Sequence, residues 1–413
     1  MTQLGTRAGF WTAALVAGLA LWASGAPTVV YPLYARAWDL TPAMTTLIFA
    51  IYPLTLIPVL VLFGNLSDYV GRRAAMLAGL AALAAGSVAF GLAPDLGWVL
   101  VGRALMGVGV GLSLGPASAA LVDFSPPGTE PRATTTTTAA TATGLVLATL
   151  VGGALVEHAP APMHLTFWVL LAITLVAATL VWFLPRPVST GARWRPRRPS
   201  LPTGAGRVFW SAALAIGGAY AMGAIYLALG AQVARDLVGS DDAFVGGAVI
   251  SVSAAAIGVV AVLGRKLSPR LAVTIGPPVA AAGLGLLVWA GLAHSLALFL
   301  GSSVIGGAGY SLLFAGGLGL VTRSALSHQR AAVMSSAYVV GYLLQALAAL
   351  GIGAIATGAG LLRALEVGSP IVVAVGLAAL VLANARRPAI TSPVGPDDRG
   401  INTMSAPRVP VRA

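Results

Sequence analysis

The chain has 413 residues, of which 58% are hydrophobic and only 9% charged, and its mean hydropathy is +0.90. Soluble domains run near 25% charged, so this composition excludes an ordinary water-soluble globule and points to lipid as the solvent. There is no cysteine, which excludes disulfides and thiolate metal sites, and the formal net charge is +12.

A helix needs about 20 mostly apolar residues to cross a bilayer. In chain order such runs fall at 9–35, 43–66, 73–93, 96–123, 133–156, 163–185, 208–233, 243–264, 271–292, 295–322, 331–357 and 366–385. The sequence therefore predicts an all-α membrane protein with twelve transmembrane helices. The opening "MTQLGTRAGFWTAALVAGLALWASGA" has the pattern of a signal peptide with small residues at its end. Its apolar run continues through "PTVVYPLY" and more spans follow, so it reads as an uncleaved first span. Connections are short except "PRPVSTGARWRPRRPSLPTGAGR", rich in Pro, Gly and Arg, which reads as a solvated linker. The expected organisation is a six-helix bundle over 1–185, a cytoplasmic linker over 186–207, a second bundle over 208–387 and a disordered cytoplasmic tail over 388–413.

Orientation follows from the basic residues. With both termini in the cytoplasm, 20 of the 24 Lys and Arg fall inside; Arg36, Arg235 and Arg363 fall outside, and Arg103 falls within a span. The same split accounts for the positive charge as a topology signal facing anionic lipid, with no nucleic acid partner.

The halves resemble each other. "FWTAAL" (10–15) recurs as "FWSAAL" (209–214), an offset of 199, at which Gly18 also matches Gly217, and Gly102 and Gly107 match Gly301 and Gly306. Such duplication suits a machine that rocks one half against the other around a central site. After the second apolar run comes "GNLSDYVGRR" (64–73). Gly64, Leu66, Ser67, Asp68, Gly71, Arg72 and Arg73 match Gly-x-Leu-Ser/Ala-Asp-x-x-Gly-Arg-Arg/Lys, and through this stretch the chain resembles the major facilitator superfamily. The resemblance covers essentially the whole chain. It implies two pseudo-symmetric six-helix bundles and a secondary transporter working by alternating access.

The resemblance also assigns roles. Asp68 would act as a latch between halves, facing the start of span eleven near Ala331 when the cytoplasmic side is shut. Gly64 would permit close approach of another helix, Gly71 a tight turn, and Arg72 and Arg73 would anchor the loop inside. Asp68 and Arg72 are four apart and placed to pair; Asp123 is placed to join Arg72, Arg73 or Arg132. The counterpart "GRKLSPRL" (264–271) has Pro269 where the first half has Asp68, so the latch lies in one half only. The alternative reading is a plain solvated turn.

In "GRALMGVGVG", Arg103 resembles the span-four Arg of proton-coupled exporters, followed by Gly107, Gly109 and Gly111 as a thin helix face for packing. An intramembrane Arg usually faces a cavity and serves function; the alternative is snorkelling to the outer surface. Its repeat position is Ser302. Span five departs from the antiporter pattern Gly-Pro-x-x-Gly-Gly: Gly144, Gly152 and Gly153 fit, but Ala148 and Thr149 replace Gly-Pro. None of the 12 acidic residues falls at mid-span, Glu157 and Asp68 being the least solvated candidates for a proton carrier.

In the family, spans one, four, seven and ten line the cavity, which nominates Trp22, Tyr31, Tyr34, Tyr220, Tyr226, Tyr310 and Phe314, with Tyr338, Tyr342 and Gln345 on span eleven. This set, with Arg103, suits a small, moderately apolar, neutral or anionic solute. The four His lie near loops without metal-ligand spacing, and no phosphate-binding loop occurs, which argues against an enzyme or an ATP-driven pump. The expectation is proton-coupled efflux across the cell membrane by a monomer without cofactor or metal. An uptake symporter and a non-transporting receptor or scaffold are the alternatives.

Overall fold

A computed structural model describes residues 4–126, 130–185, 194, 206–239, 242–324 and 330–385. Apart from Trp194 and the first residues of span seven, the expected linker lies outside the described residues, as does the expected tail. Among the described residues twelve helices are long and apolar enough to cross a membrane, and there is no strand. Spans one to six are Thr6–Ala37, Pro42–Phe63, Arg72–Gly91, Leu96–Asp123, Arg132–His158 and Leu165–Trp182. Spans seven to twelve are Gly206–Leu237, Ala243–Lys266, Pro269–Leu292, Leu296–Arg323, Val333–Ala359 and Leu361–Asn384. Eleven of these agree closely with the apolar runs. Span twelve starts earlier than expected: Gly360, at φ 88°, sets its first residue at Leu361. Arg363, which precedes the apolar run, pairs there with Glu366 at 2.9 Å within the first turns.

Local chemistry fixes several helix starts. Thr41, Asp95, Asp242 and Ser268 each accept a hydrogen bond from a backbone N–H of the turn they precede, satisfying donors a helix end leaves open. Pro42 and Pro269 stand at the first helical position, where no N–H is needed. Pro269 thus begins span nine in the place where the first half has its motif Asp.

Spans one and seven are both interrupted. Span one passes through a 3₁₀ turn at Ala26–Val29 and resumes at Tyr31; span seven passes through a π-helical turn at Ile225–Leu229. Ala26 and Ile225 are related by the same offset of 199 that relates "FWTAAL" to "FWSAAL". Small residues set the crossings inside each half. Spans one and five meet where Gly18 and Gly144 bring backbone against backbone, and spans three and ten meet neighbours through Gly79 and Gly309 in the same way.

The halves meet along span five against span eight and span two against span eleven. Among the described residues, several hydrogen bonds cross between them from mid-depth to the end far from the N-terminus, hereafter the distal end. There the Ala43 N–H donates to Thr357 Oγ1 at 2.9 Å, the Ala243 N–H to Glu157 Oε2 at 2.9 Å, and Arg235 Nη1 to the Pro32 carbonyl at 3.2 Å. Nearer mid-depth Thr149 and Ser251 share a hydrogen bond of 2.7 Å between their hydroxyls. The distal end is shut.

Candidate functional site

A cavity of about 100 Å³ lies between the halves at mid-depth. Span one contributes Ser24, span two Tyr52, span seven Tyr220 and Tyr226, span ten Tyr310, and span eleven Tyr342 and Gln345. Small-molecule sites commonly occupy roughly 300–1,000 Å³, so the site is contracted in this conformation. Among the described residues, no ionised side chain lines it. Its polar groups are hydroxyls and the Gln345 amide, whose buried Oε1 has no hydrogen-bond partner.

The aromatic wall belongs to the second half. Tyr220 packs against Tyr342 at 4.7 Å between ring centroids and against Phe314 at 5.6 Å, and Tyr310 closes on both Tyr220 and Phe314. Offset and tilted rings of this kind suit the aromatic quadrupole. Of the residues nominated from the sequence, Tyr220, Tyr226, Tyr310, Tyr342 and Gln345 line the cavity. Phe314 and Tyr338 stand behind it in one aromatic chain.

The rest do not line it. Tyr31 is buried in the distal part of span one, beside the Arg103 guanidinium. Tyr34 donates to the Met163 carbonyl at 3.2 Å and stacks on Trp38, which makes it a loop anchor. Trp22 faces a different crevice altogether. Conversely, Ser24 and Tyr52 were not nominated. Tyr52 stands at mid-span opposite the span-four Arg, and only the packing of span two against span four brings the two together.

Span four does not reach the cavity; it stands behind Ser24 and Tyr52. Arg103 is fully buried (0% exposed), which removes the snorkelling alternative. Its Nη1 donates to the Ser24 carbonyl at 3.0 Å, an oxygen left near the end of the first helical segment where span one gives way to its 3₁₀ turn. Its guanidinium carbon lies 5.1 Å from the Tyr52 ring centroid and 5.7 Å from that of Phe49. These are cation–π distances. Nε and Nη2 meet no well-formed hydrogen bond among the described residues, although the Tyr31 hydroxyl stands beside the guanidinium. At the repeat-related place in the second half, the Tyr226 hydroxyl donates to the Ser302 carbonyl at 3.0 Å. One half thus closes this contact with a cation and the other with a neutral pair.

The glycines following Arg103 serve two faces rather than one. A Cβ on Gly107 or Gly111 would press on span two, and one on Gly109 would press on Leu83 and the Gly79 backbone of span three. Gly152 abuts Val29 of span one, and Gly153 abuts Ala243 and Phe244 of span eight.

In the motif loop, Gly71 has φ 86°, a backbone state that a side chain would strain, so the motif needs glycine there. Arg72 bridges two carboxylates: Nη1 to Asp68 Oδ1 at 2.7 Å and Nε to Asp123 Oδ2 at 3.3 Å. It also donates to Ser67 Oγ at 2.8 Å. Arg73 takes a separate role, donating to the Leu184 carbonyl at 3.2 Å and lying over the Trp182 ring. Gly64 corrects an expectation: the nearest atoms to a Cβ there belong to Leu60, one turn back, and not to another helix. The side chains at the start of span eleven around Ala331, the expected partner of Asp68, lie outside the described residues. Glu157 and Asp68 both stand at span ends, away from the cavity.

Three comparisons bear on this arrangement. Residues 10–349 match the sequence profile of the Major Facilitator Superfamily. A stretch of 161 residues is 32% identical to the multidrug efflux pump LfrA of Mycolicibacterium smegmatis, covering 38% of this chain and only 32% of that pump. The fold is similar to that of a bacterial homologue of the human lysosomal transporter Spinster, solved inward-facing and unoccupied: TM-score 0.71 at 16% identity, over 92% of this chain and 97% of that one. It is equally similar to a point mutant of the nucleoside transporter NupG: TM-score 0.72 at 12% identity, over 91% of this chain and 99% of that one. The chain belongs to the Major Facilitator Superfamily and is a multi-pass membrane protein.

Proposed function

We propose that this member of the Major Facilitator Superfamily exports a small, moderately apolar, neutral or anionic solute across the cell membrane, coupled to protons, by alternating access. The observation that carries this reading is the tyrosine-lined cavity between the halves, closed distally, with an enclosed guanidinium one layer behind its wall. In this reading both termini are cytoplasmic, the distal end is extracellular, and the solute enters from the cytoplasm. The tyrosine rings offer apolar faces with hydroxyl rims, and Gln345 offers an unpaired acceptor. A multiply charged solute would be poorly solvated there.

Arg103 supplies the positive potential. Through Ser24 and Tyr52 it favours negative charge in the cavity or on the solute. The Asp68–Arg72–Asp123 cluster is the cytoplasmic latch. In the present conformation Asp68 is engaged by Arg72 within its own half. Export is preferred to uptake because the span-four Arg stretch resembles that of exporters and because of the partial match to an efflux pump.

Purified protein in vesicles under an imposed pH gradient tests the proposal, with a panel of neutral and monoanionic aromatic solutes. Solute-stimulated proton flux, with movement away from the face bearing the termini, is expected. Movement of no solute above protein-free vesicles would defeat the transport reading, and gradient-driven accumulation on the terminal side would reverse its direction. Tags at residue 195 and at the C-terminus should both be reached only from the cytoplasm, and an outside location of either would overturn the assigned orientation.

A further inference from the structure

A second concavity, of about 440 Å³, lies in the first half and shares no lining residue with the transport cavity. It is the gap between spans five and six, floored by span one, and therefore opens toward the bilayer. Trp11, Gly18 and Trp22 line it from span one, Thr136 and Thr143 from span five, and Ile173 from span six. Gly18 and Gly144 let spans one and five touch at the backbone, and this depth distinguishes a groove from an ordinary flat lipid-facing helix pair.

Its length matches one leaflet. Trp11 and Trp22 are eleven residues apart on one helix. At about 1.5 Å per residue that is roughly 16 Å, close to half of a hydrocarbon core about 30 Å thick. The groove thus runs from the terminal-side interface to mid-bilayer, the reach of a single acyl chain.

Its mouth is basic. Arg7 stands one turn before Trp11 on the same face of span one, and Arg132 one turn before Thr136 on the same face of span five. Arg132 lies over the Phe10 ring at 5.6 Å, and Phe10 in turn meets Trp11 edge-on at 5.6 Å. Both arginines are exposed. A long side chain near a helix start points toward that end, so both guanidinium groups sit at headgroup level.

We propose that this groove binds an anionic phospholipid of the leaflet on the terminal side, one acyl chain lying between spans one, five and six and the phosphate held between Arg7 and Arg132. The site is separate from the transport cavity and stands independently of the solute or direction proposed above. A lipid held there would brace span one, whose other faces meet spans four and five.

The test is retention of defined lipids by the full-length protein in detergent, read by native mass spectrometry with phosphatidylglycerol against phosphatidylcholine of the same chains. Each basic residue near an anionic headgroup is worth roughly fivefold in affinity, so two give about 25-fold preference for phosphatidylglycerol. Arg7→Gln with Arg132→Gln should abolish that preference. Ala139→Trp, which fills the groove and leaves both arginines, should lose retention of both lipids. Glycerophosphate, which has the headgroup chemistry without a chain, should not compete. The proposal fails if the double variant keeps the preference, if the filled groove retains phosphatidylglycerol as the wild type does, or if glycerophosphate displaces the lipid. Unchanged thermal midpoints of the variants keep the comparison interpretable.

Discussion

Gly247→Ala is the sharpest test of how the two halves close. Gly247 lies four residues into span eight, facing span five. A Cβ there would overlap the Thr149 carbonyl oxygen and come within 3.2 Å of the Gly153 Cα. Both obstacles are backbone, so no side-chain rotation relieves them, and span eight must move away from span five at the distal end. Overpacking of a close contact costs typically 1–3 kcal/mol. The contact joins one half to the other and exists only while the distal end is shut, so this cost falls on the closed state and not on the fold of either bundle. It should therefore shift the closed-to-open ratio by about 5- to 150-fold toward distal opening. The chain has no cysteine, so two introduced cysteines at the distal ends of spans five and eight carry spin labels without competing sites. The wild type should give one short distance, and the variant should gain a longer population. A variant with the wild-type distance distribution would refute the reasoning, because the Cβ would then have been accommodated without separating the halves.

Arg103→Ala should reach normal membrane abundance, since a buried charge without a counter-ion contributes little to stability, yet transport should fall tenfold or more if the guanidinium acts on the solute. Arg103→Lys keeps the charge but not the planar fork that reaches the Ser24 carbonyl, and should retain part of the activity; normal uptake and efflux by the Ala variant would remove Arg103 from the proposed site. Asp68→Asn weakens a pair with Arg72 that is partly exposed on both sides, worth about 0.2–1 kcal/mol, so the protein should fold normally but transport several-fold more slowly. Normal transport at normal abundance would remove the latch role. Glu157→Gln keeps an acceptor for the Ala243 N–H but loses the charge at a helix start, about 0.3–1 kcal/mol, and should shift the spin-label distances in the same direction as Gly247→Ala by about fivefold or less. No shift would show that this clasp is carried by geometry and not by charge.

The sequence by itself determined the membrane class, the spans and the family. Apolar length is set by bilayer thickness, basic residues report topology, and "GNLSDYVGRR" carries its own chemistry, down to a Gly71 whose backbone angle only glycine adopts readily. The interruptions of spans one and seven came only with the structure, although the offset of 199 relates their positions. What the sequence left open is which way each helix faces. In a soluble helix the apolar stripe marks the buried face, but here lipid and protein interior are both apolar, so periodicity does not separate them. Thus Trp22 and Ser24, two residues apart, face a lipid-side groove and the transport cavity respectively. The glycines after Arg103 looked like one thin face and serve two. Arg103 was singled out by its charge, yet only tertiary packing placed it behind the cavity wall, against Ser24 and Tyr52, with no carboxylate beside it among the described residues. The closed distal end is likewise a property of the packed halves, because it rests on pairings between residues far apart in the chain, such as Ala43 with Thr357 and Ala243 with Glu157.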